Sequence, residues 1–324
     1  MKQRSLGIDS MRFVACVAVI LLHCFPTTGL LKTLVDQTAR FAVPFFFITS
    51  GHFLAAKLQR SDTPRVYLSY MQKIVGLYLA WSLIYFLDPP LRGNWGVVYQ
   101  GRWEAFVQQP WEELWFVGIS GHFWFFISLT LTVLVFMVFR LRYRFAFLVV
   151  AAGLYLVGVL GGAYTSTPVG LDLGINTRNF IFFSALPFAV GVILRTQSLR
   201  FTMREALLIT LVGWVGHFGE AGLLQTFFAT ELQDYGFSTV LMGIGVFLLA
   251  QQDIAALTTD RLAQLGKLTL GVYAIHILVA QRLHVLYVAP LTEAWFVVWP
   301  LLVLAFSLLL TLFFQRVRGL RAIV

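Results

Sequence analysis

The sequence predicts an all-α, polytopic transmembrane helix bundle of about ten spans. Three observations carry this expectation. Of the 324 residues, 59% are hydrophobic and 12% charged, against about 25% charged in an ordinary soluble domain. Apolar runs long enough to cross a bilayer recur along the chain, and they are uniformly apolar, which favours helices over the alternating pattern of barrel strands. Lys and Arg also concentrate in alternate connections, as cytoplasmic loops require.

The first run, 12–29, is preceded by Lys2 and Arg4 and carries Arg12 and His23. The basic start imitates a secretory leader. Asp9 and Arg12 interrupt the pattern and no small-residue cleavage site follows, so it reads as a retained first helix. Further runs lie at 40–57, 71–87, 122–139, 145–163, 179–195, 205–222, 237–252, 266–288 and 295–315. The longest connection, 88–121, contains Trp95, Trp103, Trp111 and Trp115, which suits an interfacial aromatic belt. With no repeat or low-complexity tract, the chain reads as one integral-membrane domain, 1–324.

A cytoplasmic N-terminus places 18 of the 24 Lys and Arg on the inner side and 10 of the 15 Asp and Glu on the outer side. This N-in, C-in arrangement satisfies the positive-inside rule. The net charge of +9 is then topological, and nucleic acid is not an expected partner. Cys16 and Cys24 are separated by about 12 Å of helical rise, too far for a disulfide.

Arg or Asp at the centre of a membrane helix costs about 2.5–3.5 kcal/mol, so the ionisable residues in these runs need a reason. Arg12 and His23 are eleven residues apart, which is three turns plus about 20°; they share one helix face with a rise of about 16 Å between them. Asp9 and Arg12 are i, i+3 neighbours able to pair. Taken alone, the histidine reads equally well as a packing residue and the arginine as an anchor. Their common stripe favours a functional reading.

The stretch IDSMRFVACVAVILLH resembles the first-helix motif of the membrane-bound acyltransferase 3 family: a basic residue, ten residues, then histidine. Further segments resemble the family in chain order: VPFFFITSGHFL, YLSYMQKIVGLYLAW, GHFWFFISL, NTRNFIFFSALPFAVGVIL and LGKLTLGVYAIHILV. The resemblance covers nearly the whole chain and is nearest to the stand-alone polysaccharide O-acetyltransferases. It implies an acyltransferase of the bacterial inner membrane. The enzyme would move an acetyl group from cytoplasmic acetyl-CoA, its co-substrate, to a hydroxyl of a surface glycan or lipid-linked precursor. The S-x-E-E-Q-F-Y segment of one large branch is absent and a fused hydrolase-like domain is not expected, which favours direct transfer and leaves a separate partner open. Oligomeric state is not legible; a homodimer is compatible.

Acyl transfer to a hydroxyl needs a base, oxyanion donors and a grip on the charged donor. His23 is the candidate base on the catalytic stripe with Arg12 and Asp9. Arg12, Lys73 and Ser50 are the candidate cofactor contacts, because cations at the inner face suit the phosphates of coenzyme A. His122, Trp124, Arg178, Asn179, Tyr273 and His276 are the candidate acceptor contacts. Each has a plainer alternative. Ser50–Gly51 suits close helix packing, His122 and Arg178 suit an interface, and Tyr273 with His276 suits interhelical hydrogen bonding. His217, Glu220 and His284 read as structural or interfacial. No His-x-x-x-His pattern suggests a metal, and convergence of three histidines from different helices cannot be read from sequence. A flippase or transporter of a lipid-linked glycan is the alternative function, and an envelope-assembly subunit a third; the paired repeats common in transporters are not detected.

Overall fold

The computed structural model describes residues 6–25, 29–87, 107, 120–228, 230, 234–252, 254–256, 258–286 and 293–324, with backbone alone for 284–286 and 293–296. Lys2, Arg4, the four tryptophans of 88–121 and the side chain of His284 lie outside the described residues.

Among the described residues there are twelve α-helices and no strand. They are α1 (Leu6–Cys24), α2 (Gly29–Ala39), α3 (Ala42–Leu58), α4 (Pro64–Leu87), α5 (Trp124–Phe139), α6 (Arg144–Leu160), α7 (Ile181–Thr196), α8 (Met203–Phe228), α9 (Thr239–Leu249), α10 (Asp260–Gly266), α11 (Thr269–Leu286) and α12 (Glu293–Arg316). Every apolar run of the sequence coincides with one of these helices. By length and composition, five helical segments are able to cross a membrane, or six if α10 and α11, bent by 62°, count as one span. The expected ten is larger because α5, α7 and α9 have 16, 16 and 11 residues, short of the ~20 that a bilayer asks. In α4, Arg65 and Lys73 lower the mean hydropathy. The connection expected at 30–39 is itself helical, and α2 and α3 together form the apolar segment Gly29–Leu58.

Local chemistry marks the helix ends. Thr202 and Glu205 form a reciprocal capping box at the start of α8: the Glu205 carboxylate accepts from Thr202 N (2.7 Å), and Thr202 Oγ1 accepts from Glu205 N (3.3 Å). Thr259 caps α10 in the same manner through Leu262 N.

Glycines set the helix crossings. A Cβ on Gly51 of α3 would overlap the Phe188 carbonyl of α7, and one on Gly191 would overlap the Ile48 carbonyl in return. Likewise Gly266 of α10 sits against the Asp9 carbonyl of α1. Small residues let backbones touch where lipid provides no hydrophobic drive between helices. Ser128 Oγ donates to Ser184 Oγ (2.7 Å), which also meets Thr132 Oγ1 (2.6 Å), tying α5 to α7. Large apolar side chains such as Leu208, Leu211 and Val215 of α8 and Leu309 and Phe313 of α12 face outward, as a lipid-facing surface requires. These packings leave α1 next to α3, α10, α11 and α12, and an interior cavity opens beside it.

Candidate active site

The cavity holds about 520 Å³, within the usual range of small-molecule sites. Helix α1 places Arg12 near one end and His23 near the other, and both side chains line the cavity. The shared face read from sequence is therefore an inward face.

Lys57, Lys73, Ser50 and Ser69 line the cavity with Arg12. Arg12 Nη1 donates to Asp9 Oδ1 (3.3 Å) and Nη2 to Thr269 Oγ1 (3.2 Å), which fixes the guanidinium against α11. The Lys57 ammonium lies 5.3 Å from the centre of the Tyr70 ring. Asp9, by contrast, lies outside the cavity wall and is buried. Fourteen residues separate it from His23, about 21 Å along the helix. Its carboxylate pairs with Arg12.

Three histidines from different parts of the chain meet around the opposite end. His23 ends α1, His122 lies in the turn before α5, and His276 is on α11. Their ring centres are 6.4 Å (His23–His122), 5.4 Å (His23–His276) and 5.0 Å (His122–His276) apart. His23 retains accessible surface and lines the cavity, as does the buried His122; His276 sits fully buried behind them. The Nδ1 of His276 lies 2.7 Å from the Tyr273 carbonyl. A carbonyl can only accept, so Nδ1 carries the proton and Nε2 of the neutral ring carries the lone pair. Nε2 of His276 and Nε2 of His122 are both buried with no hydrogen-bond partner. Such orphaned groups cost about 1–3 kcal/mol each and are expected where a ligand or a proton arrives. His122 Nδ1 is 2.9 Å from Ser120 Oγ, and the Tyr273 hydroxyl donates to the His122 carbonyl. Tyr85 packs its ring 5.6 Å from His122 while bridging Ala274 O and Leu278 N through its hydroxyl. Among the described residues, no three His, Cys, Asp or Glu side chains are arranged to hold a metal ion.

Beyond the imidazoles lies an ion-pair layer. Asp234 accepts from Arg40 through Oδ1 and from Arg178 through Oδ2. The Arg178 guanidinium lies 5.2 Å over the Trp124 ring, and its Nε donates to Asn179 Oδ1 (3.1 Å). Burial pushes the Asp234 carboxyl up, but the Arg40 and Arg178 charges and hydrogen bonds outweigh it and hold it below its usual range. Arg40 Nε is buried without a partner.

The structure thus brings Arg178, Trp124 and Asn179 together, and brings His122, Tyr273 and His276 to His23. It places Arg12, Lys73 and Ser50 on one cavity wall. Sequence reasoning missed Arg40, Asp234 and Tyr85. Arg40 carried a usable signal, since it begins an apolar run as Arg178 does. Asp234 gave none, because a loop carboxylate is ordinarily solvated. His217 Nδ1 pairs with Thr239 Oγ1 (3.0 Å), and Glu220 accepts from Phe237 N and Ser238 N ahead of α9.

Fold and site together define a multi-pass helical membrane protein with an interior cavity. The chain belongs to the acyltransferase 3 family: residues 5–315 match its acyltransferase domain. Among curated proteins it is 29% identical over 240 residues to a serine/alanine racemase of Enterococcus gallinarum, a match covering 68% of this chain and 33% of that protein. It is 26% identical over 308 residues to an amino-acid racemase of Enterococcus faecalis, covering 88% of this chain and 42% of that protein. The chain thus spans less than half the length of these relatives. No solved structure matches it.

Proposed function

We propose that the protein is an O-acyltransferase of the bacterial inner membrane. It takes an acyl group, in the simplest case acetyl, from acyl-CoA on the cytoplasmic side and transfers it to a hydroxyl of a surface polysaccharide or its lipid-linked precursor. All ten helices aligned with apolar runs contribute spans, with both termini inside; α5, α7 and α9 cross with help from their flanking turns. One observation carries this reading. A single cavity is lined by Arg12, Lys57 and Lys73 together with His23 and His122.

On this reading the cations receive the coenzyme A phosphates by charge-assisted hydrogen bonds, and the thioester reaches toward His23. The acceptor hydroxyl gives its proton to the His23 imidazole as its oxygen attacks the thioester carbonyl carbon. The C–S bond breaks as the new ester forms, and the imidazolium returns the proton to the departing thiolate. General-base help of this kind contributes about 10²–10⁴-fold. The surrounding rings of Phe125, Phe126 and Tyr273 keep the centre apolar, which strengthens electrostatic contacts inside it.

The test uses purified protein in detergent with isotope-labelled acetyl-CoA and surface glycans from a deletion strain. Label appearing on glycan hydroxyls, lost in His23→Ala and weakened in Arg12→Gln, is the expected result. Movement of a lipid-linked glycan across the bilayer of proteoliposomes holding the same protein, with no acetyl gained, would indicate a flippase. Interconversion of serine or alanine enantiomers without acetyl transfer would give the chain the activity that the relatives' names carry. Either outcome overturns the proposal.

A further inference from the structure

A second cavity, about 430 Å³, lies where the connection between α6 and α7 meets the connection between α8 and α9. Its walls are polar in character. Thr165, Ser166, Asn176 and Thr230 contribute hydroxyl and amide groups, and Gly161 and Gly162 bring backbone to its edge. Hydroxyls and an amide can donate and accept at the same place, which is the chemistry that recognises a ligand rich in hydroxyl groups.

This groove shares two residues with the imidazole cavity, Arg178 and Asp234. Their ion pair is a common wall. On its inner side stand Arg40, His23 and His122. Two guanidiniums share one carboxylate there, so the layer carries a spare positive charge, and the buried Arg40 Nε has a donor with no partner. An incoming oxygen ligand finds donors on both sides of the wall. The wall between the two spaces is thus made of side chains, Arg178 and Asp234, and not of a helix backbone.

We propose that this polar groove binds the hydroxyl-rich acceptor, and that the Arg178–Asp234 pair is the side-chain wall through which the reacting hydroxyl reaches His23. The assignment rests on the acyltransferase reading and adds to it a place for the second substrate, separate from the donor cations at Arg12 and Lys73. The acceptor then approaches from the end of the bundle opposite Arg12, so donor and acceptor meet at the imidazoles from opposite sides.

Ser166 is exposed in the groove and Val169 is exposed on the same connection outside the groove wall. Both native cysteines are buried, so a maleimide reacts selectively with an introduced thiol. Ser166→Cys and Val169→Cys are labelled on intact cells with a bulky, membrane-impermeant maleimide. Newly acetylated surface glycan is then measured by mass spectrometry, and acetyl-CoA affinity is measured on the purified protein, labelled against unlabelled. The expected result is that labelling Ser166→Cys lowers glycan acetylation by at least about tenfold, with acetyl-CoA affinity unchanged, while labelled Val169→Cys keeps its transfer. Full labelling of Ser166→Cys with undiminished acetylation overturns the proposal, as does failure of the thiol to react from outside. If the unlabelled protein binds no acetyl-CoA, the acyltransferase reading itself fails and takes the acceptor assignment with it.

Discussion

The rings of His122 and His276 stand 5.0 Å apart with their planes at 74°, and Nε2 of each is buried with no hydrogen-bond partner. Because His276 donates Nδ1–H to the Tyr273 carbonyl, its lone pair is fixed at Nε2. His276 does not line the cavity, whereas His23 and His122 do. On the proposed reading it is a positioning residue that works through its neighbours. His23→Ala is expected to lower kcat by about 10²–10⁴-fold, as for a lost general base. His276→Ala is expected to lower it by a smaller factor, with a displaced pH–rate profile. His276→Asn restores part of the activity because its amide N–H can again meet Tyr273 O. Steady-state kinetics from pH 5 to 9 check this; equal losses in His276→Ala and His276→Asn with an unmoved profile would leave His276 a packing residue.

Arg12 is held by Asp9 and Thr269 on the cavity wall. Losing a hydrogen bond to a charged group costs about 1.5–3 kcal/mol, roughly 10- to 100-fold in affinity. Arg12→Gln should therefore raise the Kd for acetyl-CoA by about that factor, and Lys73→Gln by less. Arg12→Lys recovers only part, because an ammonium lacks the planar fork that reaches Asp9, Thr269 and a phosphate together. Added salt should weaken wild-type binding more than binding to Arg12→Gln. Isothermal titration at two ionic strengths measures both effects.

Asp234 gives a pH signature. Its folded carboxyl lies below the usual range, so the carboxylate form is the one that folding favours. Its stabilisation is fully present above the unfolded value of about 3.9. It is lost as pH falls through the lower folded value. Wild-type thermal stability in detergent should drop as pH falls into and below that region, while Asp234→Asn should be less stable near neutrality and flatter with pH. Parallel melting curves for the two proteins would show that the layer contributes nothing to acid sensitivity.

The α3–α7 crossing gives a folding prediction. Gly51→Ala and Gly191→Ala place a methyl against a facing carbonyl that cannot yield without separating the helices. Both should lose folded protein in size-exclusion profiles. Gly153→Ala meets no atom within 4 Å and should behave as wild type or slightly better, since Ala favours a helix by about 1 kcal/mol over Gly.

Much of the helical layout was legible because a bilayer makes its demands locally. The apolar runs that became α1, α3, α6, α8 and α12 needed no tertiary information. The short helices did. The chain around α5, α7 and α9 is apolar enough to suggest a span, but Phe123, the turn at Thr177–Asn179 and Ser238 delimit the helices more tightly than hydropathy does. The Thr202–Glu205 box shows the reverse case, where four residues suffice to start a helix.

By itself, the sequence determined that Arg12 and His23 share a face, since helical periodicity follows from chain position alone. It also determined the family, through motifs spread along the chain. Only the tertiary structure decided that this face looks into a cavity, that His122 and His276 come to His23, and that Asp234 joins Arg40 to Arg178. Those meetings span tens to hundreds of residues, and their partners are set by the glycine-lined crossings that bring one backbone against another.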